Sequence, residues 1–184
     1  MTRLESMGRY IQPYLTSCTA KQIRIIKNME DNQVIEKIEQ LVNEALKRQE
    51  SDSWVPSYLS IFYLDSSLLT QTYQYQICLS DDQLYFDDKK IEIYWTPSYI
   101  NLDKKSEEIR RELAKKFVRI KEYEVEYLLR LCAKQYRQIT EVHLKQVYEK
   151  TFKESVFPKL HKTTPFVFLY GSYMGELKHI LTVN

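Results

Sequence analysis

Glycine is scarce in this chain, with three copies among 184 residues: Gly8, Gly171 and Gly175. A loop that cradles phosphate groups needs several closely spaced glycines, because its backbone amides must approach the ligand and adopt positive φ. The sequence contains neither G-x-G-x-x-G nor G-x-x-x-x-G-K-S/T. We therefore expect neither a Rossmann-type dinucleotide site nor a P-loop.

Cysteine and long apolar runs are scarce as well. The cysteines are odd in number and no pair has the spacing of metal ligands, which is typical of reduced thiols in a cytosolic protein. Residues 1–8 lack the apolar core of a signal peptide, and no run approaches the roughly 18 apolar residues of a membrane span. We therefore expect a cytoplasmic protein with no membrane partner. The cysteines are Cys18, Cys78 and Cys132.

Histidine is also rare, and its three copies are dispersed. His143 is predicted on a helix with no Cys, Asp or second His three or four residues further on, and His161 lies in a basic loop. Zinc sites and catalytic triads need ligands that converge. We therefore predict no metal site, no cofactor and no catalytic residue from these positions or from His179.

Tyrosine is the residue that the chain has in excess, with 15 copies. The remaining composition, 43% hydrophobic and 28% charged, is ordinary for a globular protein. A length of 184 residues fits a single domain, residues 1–184, that buries roughly 70% of its unfolded surface.

Two-residue alternation between Tyr58 and Trp95 predicts a sheet. In Thr72–Leu79 apolar side chains occupy every second position, so one face of this strand is apolar and the other is polar. Acidic pairs separate the short strands, as turn residues do. The pattern predicts an antiparallel meander over residues 57–95. Its strands are Ser57–Leu64, Thr72–Leu79, Gln83–Phe86 and Ile91–Trp95.

Helical periodicity precedes this sheet. Residues 17–49 carry an amphipathic stripe that predicts one helix, or two helices with a break near Asp31–Asn32. We expect Pro13 to end any earlier helix near Gln12, because the residue before a proline disfavours the α region.

Helical periodicity also follows the sheet. Residues 103–157 contain neither glycine nor proline and predict a helical segment with a break at Thr140–Glu141. Residues 165–183 predict a C-terminal hairpin. The fold expected from these segments is α+β, with an antiparallel meander sheet of four to six strands packed against amphipathic helices.

Two acidic pairs, Asp81–Asp82 and Asp87–Asp88, are candidates for chemistry. Paired carboxylates bind hard cations and move protons. Both pairs fall at predicted turns, where an aspartate side chain bonds nearby backbone amides. We interpret them as turn residues.

The segment Val167–Tyr173 is an apolar strand followed by Gly171–Ser172. It resembles the strand and Gly-Ser turn that open the active site of minimal nucleotidyltransferases. The resemblance implies that Gly171 and Ser172 contact nucleotide phosphates and that a downstream Asp-x-Asp strand binds magnesium. No aspartate follows Ser172, so an enzyme site near Gly171–Ser172 is kept as an alternative, and a hairpin turn explains the string equally well.

A basic stripe supplies a second alternative. Lys104, Arg111, Lys115 and Arg119 recur at multiples of about four residues on a predicted helix 104–121, and such a stripe can neutralise phosphates. Residues 103–162 hold sixteen basic and ten acidic residues, so a nucleic acid is a conceivable partner. Glutamates four residues before basic residues favour a solvated helix face instead.

Aromatic residues of the predicted sheet carry the main hypothesis. Tyr58, Phe62, Tyr85 and Tyr94 form a binding face if the sheet packs its other side on helices, since tyrosine is enriched at interfaces. The sequence thus predicts a non-enzymatic protein–protein interaction or regulatory module, and a homodimer is one form of this hypothesis. The nucleic-acid and enzyme hypotheses stay open beside it.

Overall fold

A computed structural model describes residues 2–27, 33–70, 72–154 and 157–184. The chain divides into two compact units, which we call the helical unit (Met1–Met29 and Ser98–Val142) and the sheet unit (Glu30–Pro97 and His143–Asn184). The expected α+β class is confirmed. The single domain expected from the chain length stays a prediction.

Five helices and five strands are described. In chain order they are α1 (Arg3–Lys27), α2 (Gln33–Gln49), β1 (Tyr58–Tyr63), α3 (Asp65–Leu69), β2 (Tyr75–Ser80), β3 (Ile91–Trp95), α4 (Leu102–Ala114), α5 (Glu122–Glu154), β4 (Phe166–Ser172) and β5 (Leu177–Val183). No helix of the described residues is long and apolar enough to cross a membrane.

The strands form one mixed sheet in the order β3-β2-β1-β4-β5. The pairs β1–β2, β2–β3 and β4–β5 are antiparallel, whereas β1 and β4 run parallel with Tyr58 opposite Val167 and Tyr63 opposite Ser172. Within residues 57–95 the strands β1, β2 and β3 form an antiparallel meander as predicted, but the sheet as a whole is mixed, so the prediction of a purely antiparallel sheet is wrong. The C-terminal hairpin completes the sheet on the free side of β1.

The predicted strand Gln83–Phe86 is also wrong, because Leu84–Phe86 is a 3-10 turn. Leu84 adopts φ 52, and the side chain of Asp81 accepts a hydrogen bond of 2.8 Å from the backbone N–H of Gln83. Hydrogen bonds from an aspartate side chain to nearby backbone amides stabilise a turn here in place of a strand.

Asp87 holds this connection together. Its carboxylate is buried and accepts hydrogen bonds from the backbone N–H groups of Asp81 (2.9 Å) and Lys89 (2.7 Å). It also accepts one from Nε1 of the Trp54 indole (3.1 Å). The segment between β2 and β3 is therefore a fixed loop, since its ends are bonded to one buried acid.

One face of the sheet is covered by helices of the same unit. Helix α2 packs against β3 and β2, and on β3 Ile91 and Trp95 are buried whereas Glu92 and Tyr94 are exposed. The C-terminal part of α5 lies on the same face, with the ring of Tyr148 at 4.6 Å from that of Phe168 on β4. On β3 and β4 alternate side chains thus enter this core, whereas β2 is buried along its whole length.

The expectation that Pro13 ends a helix near Gln12 is wrong, because helix α1 includes this proline. The helix begins at Arg3 and continues through Pro13, which lies on its exposed side. A proline inside a helix removes one hydrogen bond, and burial of the apolar stripe of α1 offsets that cost. The predicted break near Asp31–Asn32 lies outside the described residues, and α5 runs without a break through Thr140–Glu141. The buried stripe is Met7, Ile11 and Leu15.

A buried carboxylate joins two helices of the helical unit. The Glu124 side chain is 1% exposed and accepts hydrogen bonds from Nε of Arg3 (2.6 Å) and from the backbone N–H of Lys121 (2.8 Å). The hydrogen bond from Arg3, and then that from Lys121, lowers the pKa of Glu124. The contact stabilises the start of α5 and anchors the start of α1 to it.

We expect Glu124→Gln to lower the free energy of unfolding by about 1–3 kcal/mol, because it removes a charge-assisted hydrogen bond at a buried acceptor. Urea unfolding followed by circular dichroism measures the change. The wild-type contribution is present above the ordinary Glu pKa of 4.5 and is lost as the pH falls through the lowered folded-state pKa.

The matched control is Glu126→Gln, at an exposed position of the same helix. This variant should unfold like the wild type between pH 3 and 7, within about 0.5 kcal/mol. Equal unfolding free energies for the two variants at neutral pH would show that the Arg3–Glu124 pair has no net effect.

Candidate functional site

The structure places the four predicted partner-binding residues on the second face of the sheet, opposite the helices. Tyr58 and Phe62 are four residues apart on β1 and therefore face the same side of the sheet. Tyr94 on β3 faces that side as well, because it pairs with Gln76 of β2, which in turn pairs with Phe62. Tyr85 reaches this face from the 3-10 turn, with its ring 5.2 Å from that of Phe62.

Their exposure differs from the prediction in one case. Phe62 is 2% exposed and is a core residue of this face, so it cannot itself contact a partner. The turn that was predicted as a strand lies over it and covers its ring with Tyr85. Tyr58 and Tyr85 are half-buried, and Tyr94 is 48% exposed.

Tyr173 completes an aromatic cluster that the sequence did not predict. Its ring lies 5.6 Å from that of Phe62 and 5.4 Å from that of Tyr85, both edge-on. The Tyr85 hydroxyl donates to the carbonyl oxygen of Ser172 at 3.4 Å, and burial raises the pKa of Tyr85. We call Phe62, Tyr85 and Tyr173 the aromatic cluster. Edge-on ring packing of this kind fixes the orientation of each ring.

Two exposed apolar side chains directly follow rings of the cluster. Phe86 is 79% exposed and Met174, at φ 54 in the turn between β4 and β5, is 64% exposed. Tyr94, on the second face of the sheet, is a further exposed aromatic side chain of the sheet unit, and we call Phe86, Met174 and Tyr94 the exposed patch. The signal that could have identified Phe86 and Met174 is an apolar residue inside a turn, where a polar one is usual.

Acidic side chains accompany each member of the exposed patch. Asp88, Glu92 and Glu176 are exposed and stand two residues from Phe86, Tyr94 and Met174, respectively. Of the nearby lysines, Lys89 pairs with Asp52 at 2.7 Å, whereas Lys90 lies 4.0 Å from Glu92 and partly neutralises it. Asp88 and Glu176 remain as the acidic side chains beside the patch.

The basic stripe does not form one helical face. Helix α4 ends at Ala114, and Arg119 lies beyond it at φ 52, so the predicted helix 104–121 is wrong. Arg111 pairs with Glu107 at 3.6 Å, and Lys115 pairs with Glu112 at 2.6 Å. Two of the four predicted residues are thus partly neutralised. Lys104, Arg111, Lys115 and Arg119 are all exposed.

The helical unit contains a cavity of about 320 Å³ between α1, α4 and α5, which we call the helical-unit cavity. Glu108 receives hydrogen bonds in its wall from Tyr14 (3.2 Å) and from the Lys105 ammonium group. On another part of the wall Thr19 Oγ1 donates to Oε1 of Gln135 at 2.8 Å. The wall thus combines organised polar groups with apolar side chains, as ligand pockets do.

The charges of this cavity follow from burial and from the Lys105–Glu108 pair. Burial is the largest single influence and favours the neutral forms, but the hydrogen bond between the two groups and the charge interactions together outweigh it, so that the pKa of Lys105 is raised and that of Glu108 is lowered. Burial raises the pKa of Cys132 to about 12, and it raises the pKa of Tyr136. At neutral pH the Lys105–Glu108 pair is therefore charged, whereas the Cys132 thiol and the Tyr136 phenol are neutral.

Gly171 and Ser172 lie at the end of β4, where their backbones make close contacts with those of Glu176 and Gly175 in the following turn. A Cβ atom on Gly171 would lie 2.1 Å from the carbonyl oxygen of Glu176. The backbone N–H of Ser172 donates to that same oxygen at 3.1 Å, and the Ser172 carbonyl accepts from Gly175 N–H at 3.1 Å. Within the described residues no three His, Cys, Asp or Glu side chains converge on a position where they could hold a metal ion.

We expect Gly171→Ala to lower the free energy of unfolding by about 1–3 kcal/mol, because the added Cβ forces the Glu176 backbone away. Thermal unfolding measures it. The control is Gly8→Ala in α1, where a Cβ would meet Leu131 at 3.7 Å and where alanine favours the helix by up to about 1 kcal/mol. Unchanged stability of Gly171→Ala would contradict the backbone role and favour a functional one.

Comparison of this chain with protein-family models, with curated proteins and with solved structures gave no match.

Proposed function

We propose that this protein is a non-enzymatic protein–protein interaction module that binds through the exposed patch of the sheet unit. The observation that carries the proposal is Phe86, a phenylalanine that is 79% exposed in a loop whose conformation is fixed. Exposed large aromatic residues with a fixed conformation are typical anchors of protein interfaces.

The residues immediately before and after Phe86 are both fixed by contacts with the rest of the sheet unit. On one side Tyr85 packs in the aromatic cluster, and on the other Asp87 is buried with three hydrogen bonds. Phe86 therefore cannot fold back into the core without breaking these contacts. A rigid anchor loses little conformational entropy on binding, which increases affinity.

The acidic surroundings favour a partner of opposite charge. Asp88 and Glu176 would attract a segment of another protein that carries lysine or arginine beside apolar side chains. A second copy of this chain would bring the same acids face to face, and like charges at an interface are unfavourable. We therefore favour a basic, amphipathic partner segment over the homodimer.

The alternatives receive less support. A nucleic acid would need a continuous basic surface, and the stripe from Lys104 to Arg119 is interrupted where α4 ends. The enzyme hypothesis rested on Gly171–Ser172, where a backbone contact accounts for the glycine.

We expect Phe86→Ser to weaken partner capture at least about 30-fold, the effect of losing a 2 kcal/mol anchor. The measurement is affinity capture from lysate of the native host with tagged wild-type and variant proteins, with and without nuclease. The matched control is Val118→Ser, which removes an apolar side chain of 81% exposure from the helical unit.

A captured protein must bind wild type and Val118→Ser equally and be lost with Phe86→Ser. Its capture should also weaken with added salt, since acidic side chains surround the patch. A partner that Phe86→Ser retains, or one that nuclease releases, would contradict the proposal.

A further inference from the structure

The helical-unit cavity is a site independent of the proposed interaction surface. Leu15, Cys132 and Ile139 are buried side chains of its wall, and Tyr14 and Tyr136 add aromatic rings. Its volume of about 320 Å³ lies at the lower end of the range for ligand pockets, roughly 300–1,000 Å³. A ligand with a single ring fits this size and lining.

Lys105 supplies the polar contact for such a ligand. Its side chain is 12% exposed, and its ammonium group lies 5.8 Å from the centroid of the Tyr14 ring. An ammonium group has three N–H donors, and the hydrogen bond to Glu108 occupies one of them. The others are available to an oxygen acceptor in the cavity.

The charge of the wall selects the ligand. Three charged side chains line the cavity, namely the partly buried pair Lys105 and Glu108 and the exposed Lys21, and together they carry one net positive charge. A monoanion makes the loaded cavity neutral, whereas a cation would meet repulsion in a partly buried site.

We propose that the helical-unit cavity binds a small aromatic monocarboxylate, with the carboxylate on the Lys105 ammonium group and the ring against the apolar side chains of Leu15 and Ile139. The carboxylate accepts charge-assisted hydrogen bonds, and the ring buries its apolar surface. This binding does not depend on the exposed patch of the sheet unit.

Three probes of similar size test the charge selection on the purified full-length chain. Benzoate is the monoanion, benzamide is its neutral analogue and benzylammonium is the cation. Isothermal titration should give saturable benzoate binding below about 10 mM, benzamide binding that is at least about tenfold weaker, and no benzylammonium binding. Equal affinity for benzoate and benzamide, or no saturable benzoate binding, would overturn the proposal.

Methyl NMR on the wild type locates the bound probe without any variant. Benzoate should shift the methyl signals of Leu15 and Ile139 and leave those of Leu59 and Ile61, in the core of the sheet unit, unchanged. Shifts confined to the sheet unit would overturn the proposal even if benzoate binds.

Lys105→Met tests the ammonium contact, and should weaken benzoate binding about tenfold or more while keeping most of the side-chain stem. Because Glu108 then loses its ammonium partner and keeps only the hydrogen bond from Tyr14, the double variant Lys105→Met, Glu108→Gln is measured as well. It should show the same loss of benzoate affinity. The control is Lys116→Met, whose ammonium group lies 5.1 Å from the ring of Tyr10 but does not line the cavity. Wild-type affinity in both Lys105 variants would overturn the proposal.

Discussion

The parallel pairing of β1 with β4 is the contact on which the sheet unit depends. It makes β1 the central strand, and the side chains of Leu59, Ser60, Ile61 and Phe62 are all buried there. With β2 alone, β1 would be an edge strand that exposes backbone groups and apolar side chains on its free side. Parallel strands cannot be joined by a tight turn, so the chain between them is long and includes β2, β3, α4 and α5.

The same pairing creates the candidate interaction surface. Because Tyr63 stands opposite Ser172, the turn after β4 lies at the end of β1, and Tyr173 meets Phe62 from about 110 residues further along the chain. Tyr85 closes the cluster from the other side of β1, through a loop held by Asp87. Phe86 and Met174 are thus exposed in two connections that are each held in place, the first by the buried carboxylate of Asp87 and the second by the packing of Tyr173 on Phe62.

Local patterns in the sequence were sufficient for the α+β class and for placing Tyr75, Ile77 and Leu79 in the core, but they did not indicate that Gln76 and Cys78 on the other face are buried as well. They were not sufficient for strand order, because nothing near Phe166–Ser172 states that its partner is β1 and that the pairing is parallel. The 3-10 turn at Leu84–Phe86 was missed for a different reason: its two apolar residues in alternation resemble a strand, and the bonds to Asp81 and Asp87 that form the turn are side-chain contacts. The burial of Phe62 and the cavity around Lys105 both depend on contacts distant in sequence, which a local pattern does not contain.

The helical-unit cavity is also hard to explain by stability alone. An ion pair that is partly buried contributes little net free energy, since desolvation offsets most of the attraction, and apolar side chains of similar volume often stabilise a fold better. Replacing Lys105 and Gln135 by large apolar side chains would also fill the space between α1, α4 and α5, and these side chains would gain dispersion contacts. The chain instead keeps an oriented Lys105–Glu108–Tyr14 group beside buried apolar side chains. Binding of a monoanion would supply both the missing packing and the missing negative charge, so the same features that lower the stability of the empty unit favour the loaded one.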